Sequence, residues 1–191
     1  MDNYLLNTIT DIWQNQIKQS YSNGLIPSER HLQAEIFQFL RQSLDGYLIY
    51  VEPYEFKIKK NPDAAGAIVI YEYFPGQVPD IIISKGNQIA AIIEVKYTPH
   101  ARCEFKKDMI KLMRYQTYSD SFSLTVDSSR GEFDTINKIK ITIETAYIFM
   151  GIGKSDSGAF ELRNWGTINN LIVYAGKVDI FGKATPDFIR L

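Results

Sequence analysis

Pro79-Asp80-Ile81-Ile82-Ile83-Ser84-Lys85-Gly86-Asn87-Gln88-Ile89-Ala90-Ala91-Ile92-Ile93-Glu94-Val95-Lys96 is the stretch on which the fold is read. Two apolar runs flank the tight-turn tripeptide Lys85-Gly86-Asn87, which predicts a hairpin with strands over Asp80 to Ser84 and Gln88 to Tyr97. Side chains alternate along a strand, so Glu94 and Lys96 share one face while Ile89, Ala91, Ile93 and Val95 take the other. Charged groups at the end of an apolar strand need a purpose, because burying either one unpaired is costly. The hairpin brings Asp80 towards the same edge. Two carboxylates beside a lysine suit metal-assisted phosphodiester hydrolysis. A hard divalent cation prefers oxygen, which makes Asp80, Glu94 and the carbonyl of Val95 candidate ligands for Mg²⁺ or Mn²⁺. Lys96 is then placed to orient the attacking water or to offset charge on the phosphate.

Upstream, Tyr4 to Gln19 holds Leu5, Ile9, Ile12, Trp13 and Ile17 near helical spacing, which predicts a helix stopped by Asn23-Gly24. Pro27-Ser28 opens a second helix with Ser28 as its N-cap. Leu32, Ile36, Phe39 and Leu40 form its buried stripe, and Asp45-Gly46 ends it. Tyr47 to Lys59 reads as one strand and Ala67 to Phe74 as another. Downstream, Glu104 to Tyr118 reads as an amphipathic helix. Phe105, Met109, Leu112 and Met113 fall on one side, Lys107, Lys111 and Arg114 on the other. Asp120 to Asn137 is polar and reads as a surface loop; Ile141 to Met150 and Leu171 to Ile180 read as strands. This order predicts an α/β fold, a mixed central β-sheet flanked by helices, in a single domain over residues 1–191.

Composition narrows the function classes. A chain of 191 residues with 45% hydrophobic side chains supports one well-formed core and excludes a disordered chain. Cys103 is the single cysteine, which excludes an internal disulfide and a cysteine-based zinc site. No apolar run approaches the roughly 20 residues that span a bilayer, so no membrane partner is expected. The opening Met-Asp-Asn-Tyr-Leu-Leu lacks a basic region followed by a long apolar stretch, and a cytoplasmic setting is expected. A net charge of −1 counts against a protein that coats nucleic acid, but not against an enzyme that holds one phosphodiester locally.

Pro79-Asp80, thirteen intervening residues and Glu94-Val95-Lys96 resemble the signature of the PD-(D/E)xK nuclease superfamily. The resemblance implies a restriction-endonuclease-like core of order α-β-β-β-α-β over about residues 28–150, with about forty residues beyond it. It implies a metal-dependent nuclease with Mg²⁺ or Mn²⁺ as cofactor and DNA as partner. It also allows a homodimer, since many double-strand cutters of the family act as dimers. In such enzymes an acidic residue on the helix before the sheet often joins the metal site. Glu35 is the choice here, one turn from Leu32 and Phe39, with Glu29 second at the helix start. The expected catalytic set is therefore Asp80, Glu94, Lys96 and Glu35. One branch of the superfamily places glutamine and tyrosine on the helix after the sheet. Lys111 and Tyr115 have that spacing, but lysine stands where glutamine would be, so the role is not carried over.

Context makes this reading specific. Glu55-Phe56-Lys57 and Glu104-Phe105-Lys106 repeat the acidic-x-lysine triplet, and Pro62-Asp63 and Pro186-Asp187 repeat Pro-Asp, yet none combines both parts on paired strands. The stripe Lys107, Lys111 and Arg114 suits contact with a phosphate backbone; a solvated helix face is the simpler account. Gly151-Ile152-Gly153-Lys154-Ser155 invites a phosphate-loop reading that fails, because position 148 is isoleucine rather than glycine. The competing class is a nuclease-fold module that binds nucleic acid or a partner protein without cutting.

Overall fold

The carboxylate of Asp2 caps the first helix: its Oδ1 accepts from the amides of Tyr4 at 3.0 Å and Leu5 at 3.3 Å. From that cap α1 (Asn3–Asp11) runs through a π-helical stretch (Ile12–Ile17) into α2 (Lys18–Ser22). Gly24, at φ 71°, makes the left-handed turn that ends it. Ser28 then caps α3 (Glu29–Ser43), its Oγ accepting from the amide of His31. The computed structural model describes residues 2–52, 56–60, 70–73, 78–101, 103–117, 122–126, 137–156, 160–161, 165, 168–179 and 187–191.

The strands are β1 (Leu48–Val51), β2 (Phe56–Lys60), β3 (Ile70–Tyr73), β4 (Ile81–Lys85), β5 (Gln88–Thr98), β6 (Phe122–Val126), β7 (Asn137–Lys154), β8 (Leu171–Val178) and β9 (Asp187–Arg190), with α4 (Lys106–Thr117) between β5 and β6. Six of them form a mixed sheet in the order β1-β4-β5-β7-β8-β9. β5 runs parallel to β7 and β7 to β8, while the remaining neighbours are antiparallel. A parallel pair needs a crossover, and α4 lies in the one from β5 to β7. β3, β2 and β6 extend this sheet from the first residues of β7, where Leu124 pairs with Ile139.

Both sheet faces are covered, which explains why β4 and β5 read as nearly continuous apolar runs. Ile81, Ile83, Ala91, Ile93 and Val95 pack with Leu5, Ile9, Trp13, Leu32, Ile36 and Leu40 of the N-terminal helices. Ile82, Ile92, Tyr147 and Phe149 pack on the other side with Leu112 and Tyr115 of α4 and with Trp165. Among the described residues, no helix is long and apolar enough to cross a membrane.

Several elements depart from the sequence reading for identifiable reasons. The run Tyr47 to Lys59 divides, because Glu52 adopts a left-handed φ of 41° after β1, and β2 pairs with β3 and β6 instead. The polar stretch Asp120 to Asn137 contains β6, and its residues 120–121 and 127–136 lie outside the described set. A register shift in the hairpin sets Ile83 opposite Ala91 but Ser84 opposite Ile89, leaving Ala90 as an extra residue. Ile89 therefore packs on the α4 side, opposite to the face expected from simple alternation. Gly151 and Gly153 lie inside β7, where a Cβ on Gly151 would stand 2.8 Å from the ring of Phe149. Close packing, rather than a phosphate loop, accounts for these glycines.

Candidate active site

The hairpin register fixes the first two site residues. Ile81 pairs with Ile93 in the antiparallel hairpin, so Asp80 comes opposite Glu94 one step beyond the last pair. Oδ2 of Asp80 accepts the amide of Val95 at 2.6 Å, which latches the carboxylate across the strands. The carbonyl of Asp80 accepts from the amide of Glu52 at 3.0 Å and from Nε2 of Gln33 on α3 at 3.2 Å. Asp80 is thus held through its main chain by β1's end and by the helix in front of the sheet.

Glu94 is completely buried. Its Oε2 accepts from Nζ of Lys111 at 2.5 Å, and its Oε1 has no hydrogen-bond partner. A buried carboxylate oxygen left unmatched is costly, and a proton, a water or a bound cation would each relieve it. Burial first, and then the neighbouring Asp80, push the Glu94 carboxyl well above the usual range, and Lys111 offsets only part of this. Burial likewise pushes Asp80 up to about 6 despite the Val95 amide and the charge of Lys111. Tyr115, one turn beyond Lys111, is buried, and its phenol is raised by that burial and then by the charges of Glu94 and Asp80. It keeps its proton and remains a hydrogen-bond donor at neutral pH.

Lys96 stands two residues along β5 with its side chain 28% exposed, and its Nζ lies 3.5 Å from Oε2 of Glu29. The same Glu29 oxygen accepts the amide of Tyr97 at 3.2 Å. Burial lowers the Lys96 ammonium, but Glu29 and Asp108 outweigh it, and its net shift is upward. Asp108, in the first turn of α4, is buried, with Oδ2 lacking a partner. Its carboxyl is raised by burial, which Lys96 and Lys111 oppose. Four carboxylates (Glu29, Asp80, Glu94, Asp108) thus face two ammonium groups (Lys96, Lys111) in a mostly buried setting.

Excess negative charge in a desolvated site, together with the unmatched Oε1 of Glu94, is what a divalent cation would relieve. Among the described residues, no group of three or more His, Cys, Asp and Glu side chains stands arranged to hold a metal by itself. The donors that would hold one are two carboxylates and a main-chain carbonyl, with water completing the shell. Mg²⁺ commonly binds with this few protein ligands.

Of the expected residues, Asp80, Glu94 and the Val95 main chain come together, and Lys96 stands beside them. Glu35 lies elsewhere: its Oε2 accepts from Ser20 Oγ at 2.7 Å, on the helix that precedes α3. The reason is helical phase. Glu29 and Gln33 are four residues apart and share the face towards Asp80, whereas Glu35 is about 200° round from Gln33. The basic stripe divides as well. Lys107 and Arg114 are exposed, while Lys111 turns inwards to Glu94, so the buried face of α4 is Asp108, Leu112 and Tyr115 and Met113 is 40% exposed. His100 is exposed and lines a cavity of about 270 Å³ with Pro27, Tyr97 and Thr98, beyond Lys96. Asp108 and Gln33 were not singled out in the sequence; the signal that pointed to Lys111 and Tyr115 was their four-residue spacing. No protein-family model matches the chain, and no curated protein or solved structure matches it.

Proposed function

We propose that this chain is a divalent-metal-dependent nuclease of the PD-(D/E)xK type that hydrolyses phosphodiester bonds in DNA. The observation that carries the reading is Asp80 latched to the Val95 amide opposite a fully buried Glu94 that has an unmatched oxygen. The order α3, β1, β4, β5, α4, β7 supports it, matching the α-β-β-β-α-β order of a restriction-endonuclease-like core once β2 and β3, inserted between β1 and β4, and β6, inserted before β7, are set aside.

In this reading Asp80, Glu94 and the Val95 carbonyl hold Mg²⁺ or Mn²⁺, which supplies Lewis-acid polarisation of the phosphoryl group when bound. Lys96, tethered by Glu29 at the mouth of the site, donates to the attacking water or to a phosphate oxygen. Glu29 takes the place on α3 that the resemblance suggested for Glu35. Tyr115 is a further donor near Glu94, and the buried surroundings keep bulk water from competing. Lys107 and Arg114, exposed on α4, are the residues available for phosphate-backbone contacts.

A second reading, a nuclease-fold module that binds without cutting, is favoured by one observation: Lys111 already neutralises Glu94 at 2.5 Å. Cleavage separates the two. Plasmid and labelled single- and double-stranded oligonucleotides incubated with Mg²⁺ or Mn²⁺ are expected to be cut by the wild-type protein. Lys96→Ala should lower the rate by about 10²–10⁴-fold with an unchanged unfolding curve. Absence of cleavage on every substrate, or full activity in the folded Lys96→Ala variant, would sink the catalytic assignment.

A further inference from the structure

Lys111 is the cation that the structure places against Glu94. Its Nζ lies 2.5 Å from Oε2, with 17% of the lysine side chain exposed and none of the glutamate. The other glutamate oxygen is buried and unmatched, and the facing Asp80 has Oδ2 taken by the Val95 amide. The charge balance at Glu94 therefore rests on an ammonium at the end of a flexible four-carbon stem. That stem comes from α4, whose neighbours Lys107, Ile110 and Arg114 are exposed, so solvent lies within reach of the side chain.

We infer that Lys111 is a built-in competitor for the divalent cation: it holds Glu94 in the metal-free protein and is released from it when Mg²⁺ or Mn²⁺ binds. This rests on the reading of Asp80 and Glu94 as metal ligands. The physical reason is that an ammonium and a divalent ion on one buried carboxylate repel each other with little water to screen them. The more weakly anchored charge leaves. Freed Lys111 stays near the site and gives a phosphodiester a second ammonium besides Lys96. Metal binding thereby prepares the substrate site, and a metal-free protein keeps Glu94 occupied rather than open to other cations.

Amine labelling of the wild-type protein tests this without any reliance on turnover. Reductive dimethylation followed by peptide mass spectrometry reads the reactivity of Lys111, with exposed Lys107 on the same helix as reference. Saturating Mn²⁺, with binding verified by calorimetry, is expected to raise Lys111 labelling relative to Lys107 by about fivefold to a hundredfold, the usual range of coupling between two linked sites. Asp80→Asn should show neither binding nor the rise. Mn²⁺ binding that needs Asp80 but leaves Lys111 labelling unchanged overturns this inference and leaves the proposed function standing. No Mn²⁺ binding by the wild-type protein, in contrast, overturns the proposed function on which the inference rests.

Discussion

Asp80→Asn is expected to make the metal-free protein more stable at pH 8 and to lower divalent-dependent cleavage at least about a hundredfold. Both effects come from one cause. The Asp80 carboxyl is pushed from its ordinary 3.8 up to about 6, chiefly by burial, so its charged form is the strained form in the folded chain. Between those two values the folded protein binds a proton that the unfolded chain has lost. Stability therefore falls as pH rises from about 3.8 through about 6, and the loss is complete above that window. Discounted for its partial exposure, the loss is of order 1–3 kcal/mol. Glu94, raised in the same direction, adds to the trend. Asparagine keeps an acceptor for the Val95 amide while removing the charge. Urea unfolding at pH 5 and pH 8 should show a clear fall for the wild-type protein and a flatter profile for the variant. A variant less stable than wild type at pH 8 would show that ionised Asp80 is structurally favourable and not held for a cation.

Trp13→Ala is expected to remove about 3–5 kcal/mol, a large part of the roughly 5–15 kcal/mol that holds a domain together. Trp13 is wholly buried on the helix that backs the sheet. Its ring lies 5.1 Å from that of Phe188 and 6.2 Å from that of Tyr174, tilted against both. Truncation opens a cavity where the π-helical stretch meets β8 and β9. That stretch supports α3, which carries Glu29 and Gln33 to the site. The indole Nε1 is itself buried without a partner, so Trp13→Phe discards an unmatched donor and should cost much less than alanine. Thermal unfolding checks the pair; for a chain of this size the alanine variant should melt roughly 6–20 °C lower. Equal losses in both variants would mean that the cavity is not the source.

What could be read from the residues followed from local rules. Alternation and the Gly86-Asn87 turn gave the hairpin, and two-residue spacing put Glu94 and Lys96 on one face of β5. Ser28 as a cap and Gly24 as a stop needed only nearest neighbours. The rest depended on contacts distant in sequence. Ala90 can bulge without a trace in an all-apolar run, so the face of Ile89 could not be read. Phe39 suggested an inward phase for Glu35, but the phase marker is buried Gln33, a polar residue that ordinarily signals the outside. Lys111, read with Lys107 and Arg114, looked like a surface charge for the same reason. A charge turns inwards only when its partner waits there, and Glu94 lies seventeen residues away on another element.

The most direct test of Asp80 and Glu94 as a cation site is a calorimetric titration with Mn²⁺ and Mg²⁺. It compares the wild-type protein with the Asp80→Asn, Glu94→Gln double variant, with and without an oligonucleotide to supply phosphate ligands. The expected result is saturable binding by the wild-type protein, strengthened by the oligonucleotide and absent from the folded double variant. Equal heats from both proteins, or none from the wild type even with oligonucleotide present, would contradict it.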